Sequence, residues 1–283
     1  MPRPSRLIAY AVIMRLLTMS IVWLTLVVWV LNAHRAGCIL SAMVLALLGG
    51  VIFIAGSEQT HLLRRALLNE TVRQDGRLYP VLYNGLLLTL RDVIVAVLLA
   101  VVLLASALTF APQQWSVLFA DLLLLALLIP RLARAMGNEV RAEYRFAVAR
   151  QWAVWISLLL LWAEALMSLA WYPPEDFTGM RWQEVVTYNL RVPEAACGLF
   201  QHVTEVFATG QAIAIWAVQN GARFGNDPTQ SVMLWVGYTT LVGFTFVTAL
   251  AYSRALIGVM GRPWEMWRRS PEEAAPEHAA SEA

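Results

Sequence analysis

The sequence predicts an all-α, polytopic membrane protein with about six transmembrane helices. Of its 283 residues, 59% are hydrophobic and only 14% are charged, and the mean hydropathy is +0.60. Soluble domains carry about 25% charged residues. The chain also contains apolar segments of about 20 residues, the length at which one helix crosses the hydrocarbon core of a bilayer. We therefore expect most of the chain to lie in lipid.

The six predicted spans are apolar segments separated by polar or turn-forming residues. They cover residues 7–31, 38–56, 93–111, 115–130, 152–171 and 232–260, and Pro130 is expected to end the fourth helix. The first span contains Arg15 and is too long for the apolar region of a signal peptide, so we expect a retained signal anchor. Residues 1–171 thus form a five-helix region. Residues 172–231 are expected to be an extracytoplasmic segment with an amphipathic or re-entrant helix at 195–219, and residues 261–283 a disordered cytoplasmic tail.

The distribution of arginine predicts the orientation. The chain contains 21 basic residues, and none of them is lysine. The polar stretches 57–92 and 131–151 are rich in arginine, whereas the short links 32–37 and 112–114 carry one and none. The arginine-rich stretches include Arg64, Arg65, Arg73, Arg77, Arg131, Arg134, Arg141 and Arg145. Because arginine-rich loops stay in the cytoplasm, we expect a bacterial cytoplasmic (inner) membrane protein with both termini inside. These arginines are expected to contact anionic lipid or to dock a cytoplasmic partner.

Two carboxylates fall inside predicted spans. Glu164 lies within the tryptophan-framed segment Trp152–Trp171, about 10 Å below its outer end, and Asp121 lies about 9 Å below Trp115. We therefore expect both in the outer half of the bundle, in a polar cluster with Ser168, Thr239 and Thr240. Such a cluster is a candidate for proton relay or cation coordination. The alternative is that each carboxyl group only forms a hydrogen bond between helices.

Three further features bear on a site. His202 and Glu205 lie one helical turn apart in the outer segment, a spacing that is common on solvated helix faces. With Asp121 and Glu164 beneath them a metal site is conceivable, but we predict no metal and no cofactor. Cys38 and Cys197 both fall on the outer side, where they either form a disulfide or remain two free thiols.

The sequence leaves three functions open. Its lack of lysine excludes a Schiff base or a P-loop lysine, and no catalytic motif is present. The first hypothesis is a non-enzymatic inner-membrane subunit of a larger envelope assembly for transport, secretion or transfer. The alternative is a proton- or cation-coupled transporter or channel that uses Glu164 and Asp121. A membrane enzyme acting on lipid ranks last. We expect membrane lipids and other membrane or cytoplasmic subunits as partners, and no nucleic acid.

Overall fold

A computed structural model describes residues 4–71, 86–140, 145–171, 176–189, 196–223 and 228–260. Within these ranges the chain forms eight α-helices and one short 3₁₀ helix. The α-helices are α1 (Pro4–Asn32), α2 (Cys38–Thr71), α3 (Leu86–Ala107), α4 (Pro112–Ala135), α5 (Arg145–Trp171), α6 (Trp182–Asn189), α7 (Gly198–Arg223) and α8 (Pro228–Gly258), and the 3₁₀ helix is Met136–Asn138. The predicted tail and the arginines at 73, 77 and 141 lie outside the described residues.

Six of the described helices are long and apolar enough to cross a membrane, which confirms the prediction of a polytopic helical membrane protein. The candidate spans are Val12–Asn32, Cys38–Ser57, Leu88–Ala107, Pro112–Ala135, Arg145–Ser168 and Ser231–Gly258. Helix α7 is not among them, although its 26 residues exceed the length of most spans. Its sequence is more polar, with residues such as Gln201, Glu205 and Gln211.

Helix α8 organises the bundle, because it packs against α7, α2, α5, α3 and α1. Its buried face is made mostly of small residues, including Ala249, Ala251 and Ala255, which let other helices approach closely. The closest approach is at Gly258, where an added Cβ would lie 1.9 Å from the Val51 carbonyl oxygen of α2. Only glycine fits between these two backbones.

The outer surface of the bundle is as apolar as its core. Large side chains such as Ile39, Leu98 and Val28 are more than half exposed, while Leu48, Leu103 and Leu125 are fully buried. In water such a surface would be unfavourable, because each exposed apolar side chain forgoes a transfer free energy of about 1.5–3 kcal/mol. A surface of this kind is the one expected of helices surrounded by lipid.

Helix α4 does not end at Pro130, in contrast to the prediction. It continues to Ala135, with Pro130 inside its last turns. A proline inside a helix costs about 3 kcal/mol because it removes one backbone hydrogen bond. On each side of it Ile129 and Ala133 are buried, and Arg134 Nε donates to the Pro130 carbonyl oxygen at 3.1 Å. Packing of this buried face therefore outweighs the local preference of proline.

Two other helix boundaries differ from those predicted. Helix α2 continues without a break from its apolar part to Thr71, so the first half of the polar stretch extends the same helix. Helix α3 occupies Leu86–Ala107 rather than 93–111. It ends early because Thr109 and Phe110 donate their backbone N–H groups to Ser106 and Ala107 in a turn. Residues near the ends of apolar runs carry little information about the boundary.

The bundle has two chemically different ends, which we call the disulfide end and the arginine end. At the disulfide end, Cys38 at the start of α2 is bonded to Cys197 just before α7, with their Cα atoms 4.7 Å apart. At the arginine end, Arg91 pairs with Asp92 at 2.9 Å, and Arg150 donates to the Met260 carbonyl oxygen at 3.3 Å. The two ends of the bundle can thus be told apart by their chemistry.

Helix α7 is attached across the disulfide end and then pairs with the first half of α8. Next to the disulfide, the Ala196 amide donates to the Ala33 carbonyl oxygen at 3.1 Å, and the Phe200 ring packs edge-on against Trp29. Farther along, Gly221 lies against Leu234 of α8. A small second core of Phe177, Val185 and Ala212 fixes the loop and α6 on the same helix.

Candidate functional site

A pocket opens where α7 crosses the disulfide end of the bundle. It has a volume of about 150 Å³ and is formed by α4, α5, α7, α8 and the turn after α3. Its lining is partly polar, with hydroxyl, amide and carboxyl groups from all five elements. The polar lining residues are Ser106, Thr109, Gln114, Glu164, Gln211, Thr245, Thr248 and Tyr252. We call this the Glu164 pocket.

The local structure explains why these side chains meet. Pro112 starts α4 and the Gln114 side chain accepts the Ala111 amide N–H at 2.9 Å, so the first turn of α4 holds Gln114 at the rim. Gln211 belongs to α7, which is joined to the bundle by the disulfide before its first residue and packs along α8. At the floor, the buried Tyr252 hydroxyl donates to the Leu118 carbonyl oxygen at 2.7 Å, which joins α8 to α4.

The charge and the size of the pocket limit what it can hold. Glu164 is the one charged side chain among the described lining residues, and none of them is basic. Carboxylate, amide and hydroxyl oxygens are ligands for hard cations. This volume has room for several water molecules. The arrangement suits a small cation with part of its hydration shell, or a small ammonium group.

A second polar group lies in the middle of the bundle. Asp121 of α4, Ser157 of α5 and Ser253 of α8 are buried, with exposed fractions of 5%, 0% and 0%. Asp121 Oδ2 and Ser157 Oγ are 2.8 Å apart, Ser157 Oγ and Ser253 Oγ are 2.8 Å apart, and Ser253 Oγ lies 2.8 Å from the Ala249 carbonyl oxygen. We call these residues the Asp121 chain. They join three spans by hydrogen bonds within an apolar core.

The two carboxylates do not share a depth, in contrast to the expectation. Asp121 is level with Ser157, which precedes Glu164 by seven residues on α5, or about 10 Å along the helix. Counting inward from the two tryptophans failed because α5 extends farther out than α4: Glu164 lies about 10 Å before the Trp171 end of α5 but lines the same pocket as Gln114, in the first turn of α4. The predicted single cluster is thus two separate groups.

The other members of the predicted cluster lie elsewhere. Ser168 donates to the Ala165 carbonyl oxygen of its own helix at 2.8 Å. Thr239 and Thr240 are exposed on the first half of α8, where the Thr239 hydroxyl bonds to the Trp235 carbonyl oxygen. None of these three lines the pocket. Thr245 and Thr248, one to two turns farther along α8, line it instead.

His202 and Glu205 form an exposed pair on α7. His202 Nδ1 lies 3.3 Å from Glu205 Oε2, and the imidazole is 80% exposed. The Gln201 side-chain amide donates to Glu205 Oε1 at 2.8 Å, and this bond, with a smaller contribution from His202, lowers the pKa of Glu205. Neither residue lines the pocket. In the described ranges no three His, Cys, Asp or Glu side chains are grouped as metal ligands would be.

The structure contains the disulfide between Cys38 and Cys197 that the sequence left open. The arginines are spread over several helices rather than gathered at one site. Arg131 and Arg134 are exposed at the end of α4, Arg64 and Arg65 belong to the extension of α2, and Arg145 donates to the Gly137 carbonyl oxygen at 2.7 Å. The arginine of α8, Arg254, interacts with Asp92 and Arg91 of α3.

Sequence reasoning missed three of the important residues. Gln211 and Tyr252 belong to helices distant in sequence from Glu164, so no spacing pattern connects them to it. Ser253 precedes Arg254 and looks like part of a polar helix end. The one available signal was Ser157, which shares a helix face with Glu164 and Ser168.

Comparison of this chain with known protein families, with curated proteins and with solved structures finds no match. Its site must therefore be interpreted from its own geometry.

Proposed function

We propose that this protein is a proton- or cation-coupled membrane transporter or channel whose binding site at the disulfide end is the Glu164 pocket. One observation carries the proposal. The pocket holds a carboxyl group surrounded by neutral oxygen and amide groups, with no basic side chain among its described lining residues. A purely structural carboxylate in a membrane bundle is usually paired with a cation or sealed by hydrogen bonds. Glu164 is open and unpaired by any basic group of the pocket.

The shape of the bundle supports transport rather than passive binding. The pocket is lined by the turn after α3 and by the first turn of α4, near the disulfide end, whereas toward the arginine end Leu118 and Tyr252 line it and are joined by a hydrogen bond. Beneath these two residues lie the Asp121 chain and fully buried side chains such as Leu125 and Leu158. A polar site near one end of a bundle, above a closed packed core, fits one of the two states that alternating access requires.

We further propose that the disulfide end faces an oxidising compartment and that both termini lie on the opposite side. Disulfides persist in the bacterial periplasm and outside cells, whereas the cytoplasm keeps thiols reduced. The arginine-rich stretches belong to the other end, as the distribution of basic residues in inner-membrane proteins requires. Single cysteines at exposed Arg35 and Arg131, in a cysteine-free background, test this with a membrane-impermeant thiol reagent in intact cells. Labelling at position 35 alone is expected, and labelling at 131 alone would reverse the orientation.

Flux in reconstituted vesicles tests the function. The purified full chain is placed in liposomes, and uptake of sodium, potassium and methylammonium is followed with and without a pH gradient. Uptake of at least one of these ions is expected, and Glu164→Gln is expected to abolish it because the neutral amide cannot compensate the cation. Glu205→Gln removes an acid outside the pocket and serves as the control. Undiminished uptake by Glu164→Gln would contradict the proposal.

One observation favours the other function, a subunit of a larger envelope assembly. On the first half of α8, the side opposite α7 presents Val232, Trp235 and Val236, each more than half exposed. Helix α8 has 31 residues and a length of about 46 Å, which exceeds the hydrocarbon core of about 30 Å. This apolar face therefore reaches the membrane boundary, where a neighbouring subunit can cover it.

Site-specific photo-crosslinking in native membranes separates the two functions. A photoreactive residue at Trp235 is compared with one at Leu98, an exposed position on α3. Crosslinking to another protein from position 235 but not from 98 is expected of an assembly subunit. Crosslinking to lipid at both positions would exclude a stable partner on this face and leave the transport proposal standing.

A further inference from the structure

The Asp121 chain contains more hydrogen bonds than its hydroxyl groups can donate. Three contacts of 2.8 Å run from Asp121 Oδ2 to Ser157 Oγ, from Ser157 Oγ to Ser253 Oγ, and from Ser253 Oγ to the Ala249 carbonyl oxygen. A serine hydroxyl has one proton and so donates one hydrogen bond. Ser157 and Ser253 together supply two protons for three contacts. The carbonyl oxygen can only accept.

A proton on Asp121 resolves the deficit. If Oδ2 carries the proton, Asp121 donates to Ser157, Ser157 donates to Ser253, and Ser253 donates to Ala249. Each contact then has one donor and one acceptor, and all three bonds point in the same direction. If Asp121 is ionised, Ser157 must donate to it, and Ser253 has one proton for two contacts, so either the contact with Ser157 or the contact with Ala249 lacks a proton.

The surroundings of Asp121 also favour the neutral acid. Its second oxygen, Oδ1, is buried and has no hydrogen-bond partner in the described part of the chain. A neutral carbonyl oxygen tolerates this far better than an ionised carboxylate does, because burying an unpaired charge is much costlier than burying an unpaired dipole. On its own helix the neighbouring residues Leu118, Leu122 and Leu125 are buried in the apolar core of the bundle.

Among the described charged and titratable groups on the helices around Asp121, none serves as its counter-ion. On α8, Tyr252 uses its hydroxyl proton for the Leu118 carbonyl oxygen, and Arg254 interacts with Asp92 and Arg91 of α3. On α1, Arg15 lies over the Phe146 ring, 5.6 Å from its centroid. On α5, Glu164 lies about two turns away and Arg150 donates to the Met260 carbonyl oxygen.

We propose that Asp121 is a proton-binding site, a carboxylic acid that stays protonated at neutral pH and starts a directed hydrogen-bond chain across α4, α5 and α8. Loss of this proton requires Ser157 to reverse its hydroxyl group and breaks one of the two hydrogen bonds of Ser253, either to Ser157 or to Ala249. The proton site is therefore mechanically linked to the packing of three spans. Leu118, one turn from Asp121, and Tyr252, next to Ser253, both line the Glu164 pocket, so the proton site is adjacent to the pocket floor.

Infrared spectroscopy of the purified full chain tests the proposal directly. The carbonyl stretch of a protonated carboxylic acid lies apart from that of a carboxylate and shifts in D₂O. The Glu164→Gln variant serves as the reference, because it removes the carboxyl group of the pocket, while Asp92, which also lies in a candidate span and pairs with Arg91, is present in both variants compared. At pH 7 this variant is expected to show a protonated-acid band, and the double variant Glu164→Gln/Asp121→Asn is expected to lack it. Identical spectra in this region would overturn the proposal.

A second variant guards against misfolding of the first. Ser157→Ala keeps Asp121 but removes its hydrogen-bond acceptor, so the acid band is expected to persist and to shift to higher frequency. A spectrum unchanged by Ser157→Ala would contradict the directed chain. The test is independent of cation transport: failure of the vesicle flux leaves the band unaffected, and absence of the band leaves flux through the Glu164 pocket possible.

Discussion

The Glu164 pocket and the Asp121 chain contain the same functional group in opposite surroundings. Glu164 lies partly exposed in a pocket of about 150 Å³ with many polar neighbours on five elements. Asp121 is 5% exposed, and its described hydrogen-bond partner is a single serine. The first carboxyl group can exchange its partners with solvent, and the second is held in one arrangement. Their difference shows that the exposure and the hydrogen-bond partners of a carboxyl group in a membrane protein depend on the packing around it more than on its depth.

The packing of the two regions has different origins. Around Asp121 three helices are in direct contact through hydrogen-bonded side chains that are almost fully buried. At the disulfide end α7 packs along α8 and is joined to α2 by one covalent bond just before its first residue. The first region should therefore respond to changes of volume, and the second to loss of the attachment.

Removal of the disulfide is expected to have the largest effect. The bond joins residues 159 positions apart, and loss of a native disulfide typically costs about 2–5 kcal/mol. Cys38→Ser with Cys197→Ser should therefore lower the thermal unfolding temperature in detergent, and reductant should do the same to the unmodified protein. Cation binding in the pocket should weaken as well, because Gln211 lies on the helix that the disulfide attaches to the bundle. Unchanged unfolding in both cases would mean that α7 is held by packing alone.

Gly258→Ala is expected to lower the free energy of unfolding by about 3 kcal/mol, because it disturbs the close contact between α2 and α8. The added methyl group would lie 1.9 Å from the Val51 carbonyl oxygen and 2.7 Å from the Val51 carbonyl carbon, which forces α2 and α8 apart. Gly243→Ala is the matched control, since no atom lies within 4 Å of its added Cβ, and it should be neutral or slightly stabilising. Equal denaturation midpoints for the two variants would show that α2 and α8 are not closely packed.

Ser157→Ala is expected to cost about 1–3 kcal/mol, because it leaves the buried Asp121 without its partner. Ser168→Ala is its control on the same helix: Ser168 bonds only to a carbonyl of its own turn, so its loss should change stability by less than about 0.5 kcal/mol. Chemical denaturation in mixed micelles measures both. Equal losses of stability in Ser157→Ala and Ser168→Ala would show that a hydrogen bond between helices contributes no more here than a bond within one helix.

Much of the fold follows from the sequence, because apolar runs of span length leave few alternatives. The helix pairing in the Asp121 chain does not, since its contacts join residues 36 and 96 positions apart. A single pair of cysteines permits a disulfide without requiring it. The end of α4 differs from the prediction because packing of the buried residues around Pro130 outweighs the local tendency of proline to end a helix.

Glu164→Gln is expected to have the smallest effect on stability, within about 0.5 kcal/mol, because a half-buried polar side chain is replaced by one of the same size and shape. Its effect on cation binding should be large. Ser157→Ala is expected to do the opposite: it lowers stability but leaves the lining of the pocket, and so cation binding, intact.

The most direct test of the central claim is calorimetric titration of the purified full chain with sodium, potassium and methylammonium chloride. Saturable binding of at least one cation is expected for the unmodified protein, for Glu205→Gln and for Asp121→Asn. Glu164→Gln is expected to weaken that binding at least tenfold, which corresponds to about 1.4 kcal/mol. Equal affinity in Glu164→Gln, or no saturable binding of any of the three cations, would contradict the account.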